Sequence, residues 1–304
     1  MNHMLKPTSS FNERRAPLSP QPLERGGVFS FDVGNGISFR LYADNRPRNL
    51  EIAALQKGMV LLADGEELIE EGAGFGVPIA MYSDHTYFSR TAQIHVHKQT
   101  QDAGVVSKIY LLDAISRKQM HGAFIDDGFY SLVHKTFERA YLHRQRLRPV
   151  FDRVMQLRKT LGMQTQFVKM APRGRVTITY YCSAGSVRVH VDLSAVNKKH
   201  CREILLLNEQ GATFFRKFFC TDRTLQVDRQ IGAWRKVTAK QASFSNLKGS
   251  VSFTLENVAG AELFSGREKV KDRFSWAGMT YALDPSLQSF DYAVKVTNKL
   301  LSPV

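Results

Sequence analysis

The stretch Val28–Ala43, VFSFDVGNGISFRLYA, indicates the fold class more clearly than any other part of the chain. Apolar and polar residues alternate on both sides of Asn35-Gly36, as they do along a strand with one buried face. Asn-Gly between two such arms favours a type I′ turn, because both central residues of that turn take positive φ. The stretch therefore predicts a β-hairpin.

The same kind of pattern continues over most of the chain. Short apolar or alternating segments recur at a spacing of roughly ten residues, with turn-forming residues between them, which is typical of antiparallel sandwiches and barrels. Further strands are predicted at Met59–Ala63, Leu68–Glu71, Pro78–Tyr82, Tyr87–Lys98, Val105–Leu112, Arg175–Cys182, Ser186–Leu193, Ile204–Leu207, Thr213–Phe219, Thr224–Val227, Ala233–Val237, Ser250–Leu255, Met279–Leu283 and Phe290–Val296.

One segment has a different pattern. After Asp126-Asp127 and as far as Gly162, apolar residues such as Phe129, Leu132 and Val133 recur at intervals of three and four, which favours helix. Either aspartate can cap the first turn, and Gly162 suits a C-terminal end. The predicted fold class is therefore mainly β: a large, supersandwich-like antiparallel sandwich of two packed sheets with one helical insertion.

Composition suggests where these parts begin and end. Residues 1–26 are predicted to be a disordered basic tail. An N-terminal β part is expected at 27–126, the helical insert at 127–174 and a C-terminal β part at 175–304. A chain of 304 residues can fold these parts as two β domains, or as one domain over 27–304.

Composition also limits the class of protein. The three cysteines, Cys182, Cys201 and Cys220, form no disulfide framework and no Cys-x-x-Cys pair, which favours a reducing, cytoplasmic setting. No apolar run approaches the roughly 18–20 residues that a membrane helix needs. The first residues lack the apolar core of a secretory signal. We therefore expect no membrane span.

The segment Glu66–Ser89 stands out in this basic chain, whose formal net charge is +14 and whose pI is near 9.8. Acids, closely spaced glycines and aromatics are concentrated there. A carboxylate and a histidine can divide general acid and base work, and rings can hold a sugar or a base by stacking. The candidate catalytic residues are Glu70, Glu71, Asp84 and His85. The candidate ligand-binding residues are Gly72, Gly74, Phe75, Gly76, Tyr82 and Tyr87.

A structural explanation exists for each part of this segment. Gly72–Gly76 departs from the dinucleotide-binding fingerprint and can be a bulge or a tight connection between strands. Ser83–Thr86 has the composition of a β-turn, in which Ser and Asp side chains bond to the local backbone.

The sequence offers two further candidate sites. His95 and His97 alternate on one predicted strand, so both imidazoles face the same side, as in zinc sites that take a third ligand from elsewhere. The alternative is a pair of solvent-facing histidines. The helical insert carries a basic cluster that can bind nucleic acid or form the solvated face of an amphipathic helix. Its residues are Lys135, Arg139, Arg144, Arg146 and Arg148.

No motif is diagnostic of a reaction, so whether the chain is an enzyme stays open and its cofactors are unknown. The leading hypothesis is a carbohydrate-active or carbohydrate-binding protein with a cleft near Gly72–Gly76, because large concave sandwiches often hold saccharides. The first alternative is a basic β scaffold that binds nucleic acid or another anionic partner. The second is a metal-dependent enzyme that uses His95 and His97.

Overall fold

The structure is a computed structural model in which the described part of the chain is mainly β. All of its strand pairs are antiparallel, and the described residues contain no helix. The prediction of a mainly β, antiparallel fold is confirmed. The described residues are 20–24, 26–43, 56–113, 115–120, 164–220, 223–226, 234–270 and 274–299.

Where a connection between two strands is described throughout, it is short. The strands are β1 (Gln21–Pro22), β2 (Val28–Gly34), β3 (Ile37–Tyr42), β4 (Val60–Ala63), β5 (Glu66–Glu67), β6 (Gly74–Tyr82), β7 (Thr86–Gln99), β8 (Gly104–Asp113), β9 (Ile115–Met120), β10 (Gln164–Lys169), β11 (Arg175–Ser183), β12 (Ser186–Asp192), β13 (Cys201–Gln210), β14 (Lys217–Cys220), β15 (Arg223–Gln226), β16 (Arg235–Lys236), β17 (Gln241–Ser245), β18 (Val251–Glu256), β19 (Ala261–Val270), β20 (Phe274–Leu283) and β21 (Ser289–Asn298).

The hairpin predicted from Val28–Ala43 is present as β2 and β3. Asn35 has φ 55° and Gly36 has φ 72°, the left-handed values that the turn requires. Phe31 pairs with Phe39, and every second residue of β2 is buried while its neighbours are exposed. The alternation in the sequence therefore does mark one core-facing side.

Most strands belong to a single sheet of 15 strands. Along it the order is β15-β14-β17-β18-β21-β12-β11-β8-β7-β6-β13-β20-β19-β16, with β1 added beside β7. A smaller sheet has the order β2-β3-β4-β5, and β9 and β10 form a separate two-stranded sheet.

Side-chain contacts show that the large sheet turns back on itself. The Tyr292 hydroxyl of β21 donates a hydrogen bond to the Asn208 side-chain oxygen of β13 at 2.7 Å, although these strands are far apart in the sheet order. The Phe75 ring of β6 meets the Phe253 ring of β18 with centroids 5.3 Å apart. On its other side Phe75 meets Phe39 of the small sheet at 6.1 Å. Both sheets thus pack around one apolar core, which fits the sandwich class.

The helical insertion predicted at 127–174 is not seen. Residues 121–163 lie outside the described residues, so most of that prediction stays untested. The next residues form β10, in which Gln164 pairs with Met120 of β9. The sequence QTQFVK contains Thr, Phe and Val, which favour strands, and this part of the insert is therefore extended.

One strand prediction is wrong, and some of the observed strands are not predicted. The segment Leu68–Glu71 is not a strand, because it turns at Glu70, which has φ 45°. Strands β17 and β19 are not predicted from the sequence, because charged and polar residues lie between their apolar residues. In β19, for example, Glu262 forms an ion pair with Lys236, and Arg267 is buried with its guanidinium donating to backbone carbonyls.

The three cysteines are free. Cys182 lies in the core, where burial raises the pKa of its thiol to about 12. No helix that is long and apolar enough to cross a membrane occurs in the described part of the chain.

The first turn offers a test of the fold. Substituting Gly36→Ala should lower the free energy of unfolding by about 1 kcal/mol or more, because a Cβ disfavours positive φ. Chemical denaturation measures this change. The matched variant Asn35→Gly should be nearly neutral, since glycine accepts the φ that Asn35 already has. Equal stability of Gly36→Ala and the wild type would show that the turn does not hold these angles in solution.

Candidate functional site

A row of residues crosses four adjacent strands of the large sheet. Strand pairing places Gly74 of β6 opposite Glu209 of β13, Glu209 opposite Gly278 of β20, and Gly278 opposite Gly266 of β19. Because the other three positions are glycines, Glu209 supplies the only side chain of the row. The row therefore carries one carboxyl group among glycines, and all four of its residues are buried.

Contacts with its neighbours fix the position of this carboxyl group. Glu209 is only 7% exposed, and its Oε2 accepts a hydrogen bond from the Ala73 N–H at 3.0 Å. Its aliphatic stem lies against Gly278, where an added Cβ would come within 2.9 Å of the Glu209 Cγ and 2.2 Å of the Asn208 carbonyl oxygen. Glycine at 278 is thus what leaves room for the glutamate.

Burial changes the acidity of Glu209. It raises the pKa of this carboxyl group to about 7, because the charged form loses its hydration. The nearby Glu268 carboxylate adds to the increase, and the Ala73 N–H opposes it. Near neutral pH the group therefore exists in both protonation states, which is the condition for giving or taking a proton.

Two tryptophans lie at the other end of the row. Trp234 precedes β16, and its indole stacks on that of Trp276 with centroids 4.8 Å apart and planes at 25°. A Cβ at Gly266 would lie 3.0 Å from the Trp276 ring and 3.1 Å from the Trp234 ring, so the indoles lie across this glycine. Both side chains are half-buried. They are the only two tryptophans in the chain.

The next row on the same face is closely packed and mostly apolar. Val77, Leu207 and Thr280 follow one another across β6, β13 and β20, and all three are buried. Val77 and Leu207 form a small apolar cluster against which the Trp234 ring packs. The carboxyl group of Glu209 is therefore bordered by apolar side chains, which accounts for its poor solvation.

The opposite face of β13 holds the same glycine segment from the core side. Asn208 Oδ1 accepts a hydrogen bond from the Gly76 N–H at 3.1 Å, at the bulge where β6 shifts register against β13. Gly74 and Gly76 have φ of 86° and 78°, which side chains disfavour. The register shift places a β-bulge at Gly76, and a ligand-binding role for the glycines of Gly72–Gly76 stays a prediction.

The structure places the predicted aromatic residues in the core. Phe75 is 1% exposed, between the Phe39 and Phe253 rings. Tyr82 and Tyr87 are also buried, and their rings meet edge to face with centroids 5.0 Å apart. All three rings are covered by protein, and a ligand-binding role for them stays a prediction.

The two predicted glutamates differ in their surroundings. Glu70 has structural contacts: its Oε2 accepts a long hydrogen bond from the Thr213 N–H at 3.5 Å, and its stem lies against Gly211. Glu71 is exposed. Neither is part of the glycine row, and a catalytic role for them stays a prediction.

Asp84 and His85 lie in the predicted turn, between β6 and β7. Asp84 Oδ2 is 3.1 Å from an Arg173 Nη2 and 3.4 Å from the His85 Nδ1. The Arg173 guanidinium also donates to the Tyr87 hydroxyl at 3.1 Å and lies over the Tyr82 ring. This cluster is a hydrogen-bonded surface group, and its catalytic role stays a prediction.

The glycine loop and the Asp84-His85 turn do not meet. They lie at opposite ends of β6, which spans Gly74–Tyr82 and at about 3.3 Å per residue is about 26 Å long. The arms that flank the loop do not pair with each other. Instead β5 pairs with β4, and β6 lies between β7 and β13.

His95 and His97 lie on β7 beside Ser107 of β8. His95 pairs directly with Ser107, while His97 occupies a bulge and its Nε2 is 2.8 Å from the Ser107 hydroxyl. Burial and the nearby His95 lower the pKa of His97. No group of three potential metal ligands occurs among the described residues. The basic cluster of the insert, which includes Lys135 and Arg139, lies outside them.

Sequence reasoning missed Glu209 and both tryptophans. The strand predicted at Ile204–Leu207 continues to Gln210, so the polar triplet Asn-Glu-Gln lies inside a strand. Three successive polar residues directly after a predicted core strand are a usable signal. Side chains alternate between the two faces of a strand, so at least one of the three points to each face, and a buried one needs a polar partner. The pairing that brings Gly266 and Gly278 beside Glu209 leaves no signal in the sequence.

No protein family model matches the chain, and no curated protein matches it. Among solved structures, it is similar to the α-N-acetylgalactosaminidase NagBb from Bifidobacterium bifidum in complex with GalNAc. The TM-score is 0.48 at 8% identity, over 89% of this chain and 36% of that chain, so this chain spans about a third of that protein's length. A crystal structure of HI1317 gives a TM-score of 0.36 at 6% identity, over 91% and 92%. Neither likeness carries an argument.

The acidity of Glu209 predicts how stability depends on pH. Its pKa is higher in the folded state than in the unfolded state, so between about pH 4.5 and 7 the folded protein binds more protons. The free energy of unfolding should therefore fall as pH rises through this window, by a Glu209 contribution of about 3 kcal/mol. Glu209→Gln should remove this contribution. Denaturant titrations from pH 5 to 8 measure the difference.

The exposed Glu71→Gln variant serves as the control and should keep the pH profile of the wild type. If Glu209→Gln also keeps that profile, the carboxyl group is not buried in solution as the structure shows it.

Proposed function

We propose that this protein binds a saccharide at the glycine row, with the Trp234–Trp276 pair as the ring platform and Glu209 as a proton donor and acceptor. The observation that carries the proposal is a buried carboxyl group with a pKa of about 7 in one row with stacked, half-buried indoles. A mostly apolar site with a few polar groups and a perturbed pKa is the general pattern of ligand sites.

The tryptophan pair supports a saccharide over other ligands. A pyranose ring has faces of C–H groups and a rim of hydroxyls, so it needs an aromatic surface and a polar group beside it. Trp234 and Trp276 offer the surface, and each indole also has an N–H donor. Glu209 offers a carboxyl group that can accept from one hydroxyl and, when protonated, donate to another.

The acidity of Glu209 supports a catalytic role as well as a binding role. A group with a pKa near 7 is partly protonated at neutral pH and can move a proton to or from a sugar oxygen. Glu268 is a second carboxylate close enough to influence the first. Two carboxyl groups in different environments are a recurrent arrangement for acid and base roles.

The sequence hypothesis of a carbohydrate site near Gly72–Gly76 is kept in a modified form. The loop contributes through its backbone, since Ala73 holds the Glu209 carboxyl group and Gly74 is part of the row. Its Phe75 ring points away from this site, into the core. No observation on the described residues favours the metal or the nucleic-acid alternative.

Intrinsic fluorescence tests the proposal directly, because both tryptophans of the chain lie at the site. Titration with a panel of neutral hexoses, N-acetylhexosamines and their linear oligomers should shift or quench the emission for at least one sugar. Trp276→Phe should weaken that binding by about tenfold, since aromatic anchors dominate such contacts. Glu209→Gln should abolish any turnover of the sugar and leave the protein folded.

The double variant Asp84→Asn with His85→Ala is the matched control, since these residues lie about 26 Å away along β6. It should retain sugar binding and turnover. If it loses them while Glu209→Gln keeps them, the site is at the Asp84-His85 turn. If no sugar in the panel changes the emission or any other binding signal, the proposal is wrong.

A further inference from the structure

The turn between β2 and β3 has a chemical property besides its role in the fold. Asn35-Gly36 is the only Asn-Gly pair in the chain, and both residues are exposed. The backbone nitrogen of a residue that follows asparagine can attack the asparagine side chain, and glycine hinders this attack least because it has no Cβ. The pair is therefore a candidate site of deamidation.

The backbone nitrogen of Gly36 is available for this attack. Within the described part of the chain its N–H has no hydrogen-bond acceptor, whereas the N–H of Gly34 donates to Asp32 Oδ1 at 2.8 Å. A surface cavity of about 250 Å³ borders Asn35, between the turn, Gly185 and the end of β21. The Asn35 side chain thus has room to turn towards Gly36.

A hydrogen bond from Asn298 favours the loss of the Gly36 proton. Asn298, the last residue of β21, is 6% exposed, and its Nδ2 donates to the Asn35 carbonyl oxygen at 2.7 Å. When the Gly36 nitrogen loses its proton, resonance places part of the negative charge on this same oxygen. A hydrogen bond to a charged acceptor is stronger than one to a neutral acceptor, so Asn298 stabilises the anion more than the neutral peptide.

We propose that Asn35 deamidates spontaneously in the folded protein, with the Gly36 nitrogen as nucleophile and Asn298 as the group that stabilises its anion. The Gly36 nitrogen gives its proton to hydroxide or to a buffer base and forms a bond to the Asn35 Cγ. The Cγ–Nδ2 bond breaks, and this nitrogen takes up a proton from water and leaves as ammonia. Water then opens the five-membered imide at either carbonyl, which gives aspartate or isoaspartate.

The two products should affect the fold differently. Aspartate keeps the backbone of the turn, since it accepts positive φ much as asparagine does. Isoaspartate carries the backbone through its side chain, which lengthens the turn by one methylene group and removes the Asn35 carbonyl from the chain. Turn geometry sets the register of a hairpin, and this carbonyl ties the small sheet to Asn298 of the large one. Isoaspartate should therefore loosen the β2–β3 hairpin from β21.

Peptide mapping follows the reaction. The folded protein and a synthetic peptide with the sequence of residues 26–40 are kept at mildly alkaline pH. Mass spectrometry of the tryptic fragment 26–40, which ends at Arg40, then detects the replacement of the amide by a carboxyl group. The folded protein should convert at least as fast as the peptide, which lacks Asn298. Slower conversion in the folded protein would overturn the proposal, because the turn would then protect Asn35.

Variants separate the site from the activating group. Asn35→Gly accepts the φ of the turn and should show no conversion in this fragment. Asn298→Ala should convert about tenfold more slowly, because a hydrogen bond to the developing charge is lost. An unchanged or faster rate would overturn the role given to Asn298, and the comparison with the peptide decides the proposal if this variant does not fold. The exposed Asn197 is an internal control and should stay unmodified, because the side chain of Lys198 crowds the attacking nitrogen.

The stability of the products tests the effect on the hairpin. The isoaspartate form, which has gained a negative charge, is isolated by ion exchange and compared with the variant Asn35→Asp by chemical denaturation. Its free energy of unfolding should be lower than that of the wild type, whereas Asn35→Asp should be close to the wild type. Equal stability of the two would contradict the loosening of the hairpin. The reaction involves neither Glu209 nor a sugar, so its outcome is independent of the saccharide proposal.

Discussion

Three successive polar side chains of β13 hold together the part of the structure that matters most for the site. Asn208 bonds to Gly76 from the core side, Glu209 bonds to Ala73 from the other face, and Gln210 accepts from the Leu61 N–H of β4 at 3.3 Å. Because side chains alternate between the two faces of a strand, β13 can contact the glycine segment from both faces. Through these contacts β13 fixes the glycine segment of β6 and ties the small sheet to the large one.

These contacts matter because the glycine segment has few other interactions that fix its conformation. A strand that begins with Gly-Phe-Gly carries few side chains for packing and tolerates conformations that other residues avoid. Buried amide groups need partners, and leaving one unpaired costs about 1–3 kcal/mol. Tyr180 adds a further contact by donating to the Phe75 carbonyl at 2.8 Å. Partners on both faces of the sheet thus select one arrangement of the loop.

The same interactions set the chemistry of Glu209. Its bond to Ala73 orients the carboxyl group, while apolar neighbours and burial keep it poorly hydrated. Gly278 leaves room for the stem, and Gly266 leaves room for the indoles. A buried acid that is only partly compensated is a cost to stability, and such costs are commonly retained where a protein uses the group. The site therefore combines a structural requirement with a chemical one.

The sequence by itself determined the class of fold, because period-two alternation and the Asn35-Gly36 turn are local properties that survive in any antiparallel architecture. It also marked the segment Gly72–Gly76 as a ligand-binding loop, a bulge or a tight connection between strands. It did not determine which strands become neighbours, since pairing of β13 with β6 and β20 depends on contacts between distant parts of the chain. Only the tertiary structure therefore decided that Glu209, two remote glycines and both tryptophans share one face, and that the aromatic residues near the loop belong to the core.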